Sequence, residues 1–159
     1  MKLSTKGRYG LRAIVDLAVH SEKESVSISS IAQRENISES YLEQLAGKLK
    51  KAGLVMSTRG AQGGYRLAKP AADISVGDVL RALEGNLEAV DCQGLKPDGG
   101  CESADFCVTK HVWQRINDSI THAVDEITLE ELIEASKESQ EKKRRMEESG
   151  GRILPKVQK

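Results

Sequence analysis

Three stretches near the start of the chain carry apolar residues at the spacing of an amphipathic helix. They cover residues 7–21, 28–35 and about 39–52. Ser27 and Ser38 stand directly before the second and third stretches, and a serine hydroxyl in that position caps a helix N-terminus. The pattern therefore predicts one helix followed by two shorter helices joined by a tight turn.

Two short β-type runs follow, at residues 54–58 and 65–68. The six residues between them, Arg59-Gly60-Ala61-Gln62-Gly63-Gly64, include three glycines and predict a turn. Helix, short helix, helix and hairpin is the order of elements in a winged helix-turn-helix. We therefore assign residues 1–70 to a winged helix-turn-helix DNA-binding domain with a two-stranded wing.

The pattern of the remaining chain is helical and loop-like, so the predicted fold class is mainly α. A capping-box pattern at Ser75 opens a short helix that reaches about Leu83, and the glycine-containing stretch after it predicts a loop. From Cys107 apolar residues recur for about five helical turns, and a second capping box precedes a short final helix. The predicted divisions are a short helix and cysteine-bearing loop at 71–106, the long helix with the short final helix at 107–135, and a charged, disordered tail at 136–159.

The length of 159 residues corresponds to about one domain, and the formal net charge is zero. Residues 1–70 contain twelve Lys and Arg against six Asp and Glu, whereas residues 71–135 contain four against fourteen. A basic N-terminal part fits a polyanionic partner, and the acidic middle should face away from it. No apolar run reaches the roughly 20 residues of a membrane span, and no signal peptide is visible, so we expect a cytoplasmic protein without membrane contact.

The start of the third helix carries side chains suited to base readout. In helix-turn-helix proteins this part of the second helix of the motif meets base edges in the major groove. Glu43 can accept a hydrogen bond from cytosine N4, and Gln44 can pair with adenine. Ser38 and Ser40 can reach bases or phosphates, and Lys48 is available for the DNA backbone.

The wing adds Arg59, because arginine favours narrow, A·T-rich minor grooves. Its glycines are expected to permit positive φ and a close backbone approach. The plainer alternative is a surface helix and hairpin, or a winged helix that binds protein. The candidate DNA-binding residues are Ser38, Ser40, Tyr41, Glu43, Gln44, Lys48, Arg59, Gly60 and Gly64.

Cys92, Cys101 and Cys107 are the only cysteines, and eight and five residues separate them. In a reducing compartment such a cluster indicates metal or redox chemistry before disulfides. Structural zinc sites usually show paired Cys-x2–4-Cys spacing, which is absent here, whereas iron–sulfur clusters tolerate wider spacing. His111 is a candidate fourth ligand; the other candidates are Asp91, Glu102, Asp105 and a residue of a partner subunit. The alternative is three unrelated thiols.

Other classes of protein have less support in the sequence. No Ser-His-Asp set, acidic pair or phosphate-binding loop is visible, so we expect no enzyme. Two rivals remain: a regulator of the same fold that binds no cluster, and a small metalloenzyme or cluster carrier.

Several segments together resemble the IscR family of iron–sulfur cluster-binding winged-helix repressors, over roughly residues 1–134. The resemblance implies a homodimer built on the long helix, a pseudo-palindromic double-stranded DNA operator, and repression of iron–sulfur cluster biogenesis genes. It implies a 2Fe–2S cluster, with 4Fe–4S as the alternative, that the iron–sulfur assembly machinery supplies. It also gives Glu43 the role of discriminating between operator types. The segments that carry it are Lys6-Gly7-Arg8-Tyr9-Gly10, Ser38-Glu39-Ser40-Tyr41-Leu42-Glu43-Gln44, Arg59-Gly60-Ala61-Gln62-Gly63-Gly64-Tyr65, and the three cysteines followed by Trp113.

The chain departs from the family pattern at the ligand positions. The family histidine stands three residues after the third cysteine; Lys110 occupies that position here, and His111 follows it. Related nitric-oxide sensors hold a 4Fe–4S cluster with an acidic residue from the partner, and Arg8 occupies the matching position. Family members that sense nitric oxide or govern cysteine metabolism are the alternatives within the resemblance.

Overall fold

The computed structural model describes residues 3–150. Within that range the chain forms six α-helices and one two-stranded sheet, which confirms the predicted mainly α winged-helix class. None of the described helices is both long and apolar enough to cross a bilayer. The elements are α1 (Thr5–His20), α2 (Ile28–Glu35), α3 (Glu39–Lys51), β1 (Val55–Thr58), β2 (Gly64–Leu67), α4 (Val76–Glu84), α5 (Val108–Asp125) and α6 (Leu129–Glu148).

Helices α1, α2 and α3 enclose the main apolar core. Ile14, Leu42 and Leu45 are at most 2% exposed, because the apolar stripes of α1 and α3 face one another. The predicted caps are present: the Ser27 hydroxyl accepts from the Ser30 amide, and the Ser38 hydroxyl accepts from the Tyr41 amide. These caps fix where α2 and α3 begin, and hence how the two helices present their first turns.

The wing is an antiparallel hairpin whose base is attached to the helical body. Its register pairs Val55 with Leu67 and Thr58 with Gly64. Val26, in the α1–α2 connection, exchanges two backbone hydrogen bonds of 2.8 Å with Tyr65. The hairpin therefore has a fixed position relative to α2, rather than depending on its own two strands for stability.

Helix α4 and the start of α6 close the core from the other side. Ile74 and Leu129 are fully buried, and the Leu129 amide donates to the Ile74 carbonyl at 2.9 Å. Both predicted capping boxes are formed, Ser75 with Asp78 and Thr128 with Glu131. The C-terminal helix consequently begins inside the core of the winged helix.

Helix α6 does not end near residue 135 as predicted, but continues to Glu148. Its second half lacks an apolar period, which is why the sequence favoured disorder. Oppositely charged side chains three and four residues apart, including Glu141 with Arg144 and Arg145, stabilise it instead. The predicted tail from 136 is thus helical to 148, and the part of it from 151 to 159 lies outside the described residues.

The stretch between α4 and α5 is irregular, as predicted, apart from one short 3-10 turn at Gln93–Leu95. Gly94 is its one fully buried residue after Leu87. Helix α5 itself has no buried residue, although Ile120 and Val124 pack against a small second core around Leu80. This half of the molecule therefore buries far less apolar surface than the winged helix.

Candidate DNA-binding surface and cysteine loop

The solvent-facing side of α3 carries the predicted readout residues. Ser40, Glu43 and Gln44 are exposed, while Leu42 and Leu45 on the opposite side are buried. Helical geometry places residues three and four apart on one face, so these three side chains form a single polar patch near the helix N-terminus. We use the name reading face for these three residues together with Lys51, which lies further along the same side of α3.

Tyr41 and Ser38 have structural roles at the start of α3. The Tyr41 ring is half-buried and stacks edge-to-face on Tyr9 of α1, with ring centroids 6.3 Å apart. Its hydroxyl donates to the Thr5 hydroxyl at 3.4 Å. These contacts fix the N-terminal turn of α3 against α1, and the contacts predicted for both residues with DNA remain predictions.

The cations of α3 differ in their partners. Lys48 Nζ donates to the Leu83 carbonyl at 3.2 Å, and Lys50 Nζ donates to the Ser57 hydroxyl at 2.6 Å. Lys51 is exposed and has no hydrogen bond or ion pair within residues 3–150. Lys48 thus ties α3 to the end of α4, and Lys51 is the better placed of the three for a phosphate.

The wing tip is an exposed turn over residues 59–63. Gly60 has a φ of +117°, which explains the glycine there. The expectation of positive φ is wrong for Gly63 and Gly64. A Cβ on Gly64 would collide with the backbone carbonyl of Val26, so this glycine lets the wing pair with the body. Arg59 lies exposed at the tip, where the sequence placed it.

The three cysteines are free thiols, all half-buried, within one loop and its junction with α5. Cys92 precedes the 3-10 turn, and Cys107 is the N-cap residue of α5. Cys101 lies beside the 3-10 turn. Its Cβ is 3.7 Å from the position that a Cβ on Gly94 would occupy. Burial of Gly94 thus lets the Cys101 turn fold over the segment that follows Cys92.

Cys107 is in an environment that favours thiolate. The Thr109 hydroxyl lies 3.2 Å from its Sγ, and this contact, with the amide of Lys110, holds the pKa of Cys107 below its usual range. Helix N-termini commonly have this effect on cysteine. His111 is exposed one helical turn later.

The donor set fits a soft metal group, since three thiols without disulfides are the ligands that iron–sulfur clusters prefer. The side chains that could act as ligands do not converge on one point. Within residues 3–150, no three side chains of His, Cys, Asp and Glu come together as ligands of one metal ion. The thiol chemistry is therefore present on the loop, while the loop does not preassemble a closed site.

Glu84, which no local sequence pattern marks as functional, joins the start of this loop to α1. Its Oε1 accepts from the Ser4 amide, the Ser4 hydroxyl and the Gly7 amide at 3.0, 2.7 and 2.9 Å. The Ser4 hydroxyl chiefly, with the two amides, lowers the pKa of Glu84. Together with the Lys48–Leu83 bond, this makes the end of α4 a junction of α1, α3 and the loop.

A second set of contacts fixes α5 to α4. Arg81 forms a 2.7 Å ion pair with Asp125, and the pKa of Asp125 is lowered mainly by that guanidinium. Gly77 leaves room for the Asp125 carboxylate. The Ala89 amide donates to Asn117 Oδ1 at 2.8 Å. No sequence signal marked these pairs, because their members lie far apart along the chain.

Three helices, a hairpin attached to α2 and an exposed polar first turn on α3 define a winged helix-turn-helix protein. The family model described as Rrf2, iron-dependent transcriptional regulator, matches residues 3–135, and the chain belongs to this family of transcription regulators.

Relatives are similar over most of their length. The HTH-type transcriptional regulator IscR of Vibrio vulnificus is 46% identical over 133 residues, which cover 84% of this chain and 77% of that protein. Among solved structures, T. potens IscR has a TM-score of 0.70 at 46% identity, over 88% of this chain and 91% of that one. CymR, the global cysteine regulator of B. subtilis, has a TM-score of 0.70 at 42% identity, over 85% and 98%.

Proposed function

We propose that this protein is a cytoplasmic, homodimeric repressor of iron–sulfur cluster biogenesis genes, controlled by occupancy of an iron–sulfur cluster. The observation that carries the proposal is the position of the thiols. All three lie in the chain between α4, which contacts α3, and α5, which carries an exposed apolar face. A group held there would constrain the segment that joins α4 to α5, and hence the connection between the DNA-reading part and the pairing part of the molecule.

The DNA-binding half of the proposal depends on the reading face and the wing. Ser40, Glu43 and Gln44 would meet base edges in a major groove, and Lys51 and Arg59 would contact phosphates or an adjacent minor groove. Residues 1–70 have twice as many cationic as acidic residues, which favours approach to double-stranded DNA.

Dimerisation would use α5. Val108, Val112 and Ile116 recur every four residues and are 80, 50 and 38% exposed, an apolar stripe that a lone chain leaves in water. Paired α5 helices around a twofold axis would cover it and set two reading faces on a pseudo-palindromic operator. The Arg81–Asp125 pair would then transmit the angle of α5 to each winged helix.

Cys92, Cys101 and Cys107 would hold the cluster, supplied by the iron–sulfur assembly machinery. We propose the 2Fe–2S type, with 4Fe–4S as the alternative, and His111 as fourth ligand ahead of Asp91, Glu102, Asp105 or a residue of the partner subunit. The fraction of the protein that carries the cluster would depend on the supply of iron, on oxidants and on the demand for clusters. Gathering the thiols would order the loop at its origin, Gly85, next to Glu84 and Leu83.

A second candidate is a regulator of the same fold that binds no cluster and responds to another signal, such as cysteine metabolism or nitric oxide. Two observations favour it. The candidate ligands are not gathered into one site, and the TM-score to CymR equals the TM-score to T. potens IscR. In that case the free thiols would act as redox or ligand sensors.

Anaerobic purification followed by absorption spectroscopy and iron and sulfide analysis separates the candidates. The proposal expects charge-transfer bands in the wild type, their loss in Cys92→Ser, Cys101→Ser and Cys107→Ser, and an altered spectrum in His111→Ala. Ser103→Ala, in the same loop, is the matched control. A colourless protein that still binds a palindromic promoter fragment in a gel-shift assay would favour the cluster-free regulator, and absence of DNA binding at low salt would contradict both.

A further inference from the structure

Gly47 stands in the interior of α3 without any intramolecular reason to be a glycine. It is exposed, its φ is not positive, and a Cβ added to it would meet nothing within 4 Å. Glycine is the least favourable residue of a helix interior apart from proline. The fold thus loses stability at this position and gains no contact from it.

The other helical glycines differ in this respect. An added Cβ at Gly7 would lie 2.7 Å from Glu84 Oε1, one at Gly10 would enter the Leu83 side chain, and one at Gly77 would meet Asp125. Each of these three allows a neighbouring element to approach closely. Among the described helices, Gly47 is the glycine for which no element of the chain makes such an approach.

The position of Gly47 indicates what approaches it instead. It lies four residues after Glu43, three after Gln44 and four before Lys51, so it occupies the middle of the reading face. The buried residues Leu42 and Leu45 lie on the opposite side of the helix. A bare backbone at this point gives the reading face a shallow notch between its polar side chains.

We propose that Gly47 is the point at which α3 comes closest to the DNA duplex, with its backbone against a phosphate or the groove wall. A side chain there would hold the helix away and weaken every contact of the reading face. This inference rests on the proposed use of α3 for DNA reading.

The test compares Gly47→Ala and Gly47→Gln with wild type in the full-length protein, by thermal unfolding and by binding to an operator-containing promoter duplex. The alanine variant should raise Tm by about 2–4 °C, because it restores helix propensity. Its Kd should nevertheless rise about fivefold, which corresponds to about 1 kcal/mol of binding free energy. The bulkier glutamine should weaken binding about tenfold or more, comparable to a mismatched base pair.

Two further variants make each outcome decisive. Ser139→Ala, on the exposed side of α6, should raise Tm slightly without changing Kd. Gln44→Ala reports on the reading face itself. If Gln44→Ala weakens binding while both Gly47 variants bind as tightly as wild type, the inference about Gly47 is wrong and the reading face stands. If neither position matters, the proposed mode of DNA binding fails as well. A lower Tm for Gly47→Ala would also overturn the inference, since the fold would then require the glycine.

Discussion

The winged helix and the cysteine loop are stabilised in different ways. In the winged helix the side chains of Ile14, Leu42 and Leu45 are almost completely removed from water, and caps fix the ends of its helices. In the loop, the thiols are half-buried and backbone turns supply most of the order. A region built by packing keeps its shape alone, whereas a region built by turns can take its final shape from what it binds.

This difference suits a regulator. The reading face should keep its geometry in every state, and the loop should be the part that a signal changes. We expect any coupling between them to pass through the end of α4, where Glu84 bonds to α1 and Lys48 bonds to the Leu83 carbonyl. Substitutions in the apolar core, at the end of α4 and in the outer part of α6 should therefore change the free energy of unfolding by different amounts.

The largest effect is expected in the core. Leu42→Ala should lower the free energy of unfolding by about 2–5 kcal/mol, because it leaves a cavity among α1, α2 and α3. Cys101→Ser, in cluster-free protein, should change it by only about 0.5 kcal/mol. Urea unfolding at one fixed protein concentration measures both. Equal losses in the two variants would show that the loop is as tightly packed as the winged helix, and the comparison would fail.

The junction should have an intermediate effect. Glu84→Ala should cost about 1–3 kcal/mol, because the Ser4 and Gly7 donors lose their acceptor. Glu84→Gln keeps an acceptor oxygen and should cost less.

The Glu84 carboxylate should also make the stability of the protein depend on pH in the acid range. Because the folded state lowers the pKa of Glu84, its stabilisation is complete above the unfolded value near 4.5 and is lost as pH falls through the lower folded value. Unfolding measured between neutral pH and the acid range should therefore depend less on pH in Glu84→Gln than in wild type. Parallel curves for the two proteins would contradict the assigned role of the carboxylate.

Local signals in the sequence were sufficient for helices α1 to α5 and for the wing. Ser27, Ser38 and the apolar spacing gave the boundaries of α2 and α3 to within a residue or two, and Ser75 correctly marked the start of α4. These features involve residues a few positions apart, and such neighbours are visible in a sequence.

Contacts across the chain were not predictable in this way. Glu84 meets residues about 80 positions away, and Gly64 is required by the backbone of Val26. The extent of α6 was missed because charge pairs, rather than an apolar stripe, stabilise its second half. For the loop, spacing indicated which thiols could act together, but not whether the free chain gathers them.

Substitution of the α3 lysines tests whether each ammonium group contacts DNA or the end of α4. Lys51→Ala should reduce the slope of log Kd against log salt by about two, as expected when each protomer of the dimer loses one phosphate contact. Lys48→Ala should leave that slope unchanged and cost about 1 kcal/mol of stability, because its ammonium group bonds to the Leu83 carbonyl. The reverse pattern would place Lys48 on the DNA and remove it from the junction.

The smallest effect should come from the outer part of α6. Lys137 forms a 2.8 Å ion pair with Glu22, and both side chains are more than half exposed. Lys137→Ala should lower stability only slightly at low salt, and the loss should vanish near 1 M salt because exposed charges are then screened. Lys142→Ala is the matched control, since Lys142 forms no ion pair within residues 3–150. A loss that persists at high salt would mean that the Lys137 methylenes pack on the winged helix, and α6 would then belong with the core rather than with the periphery.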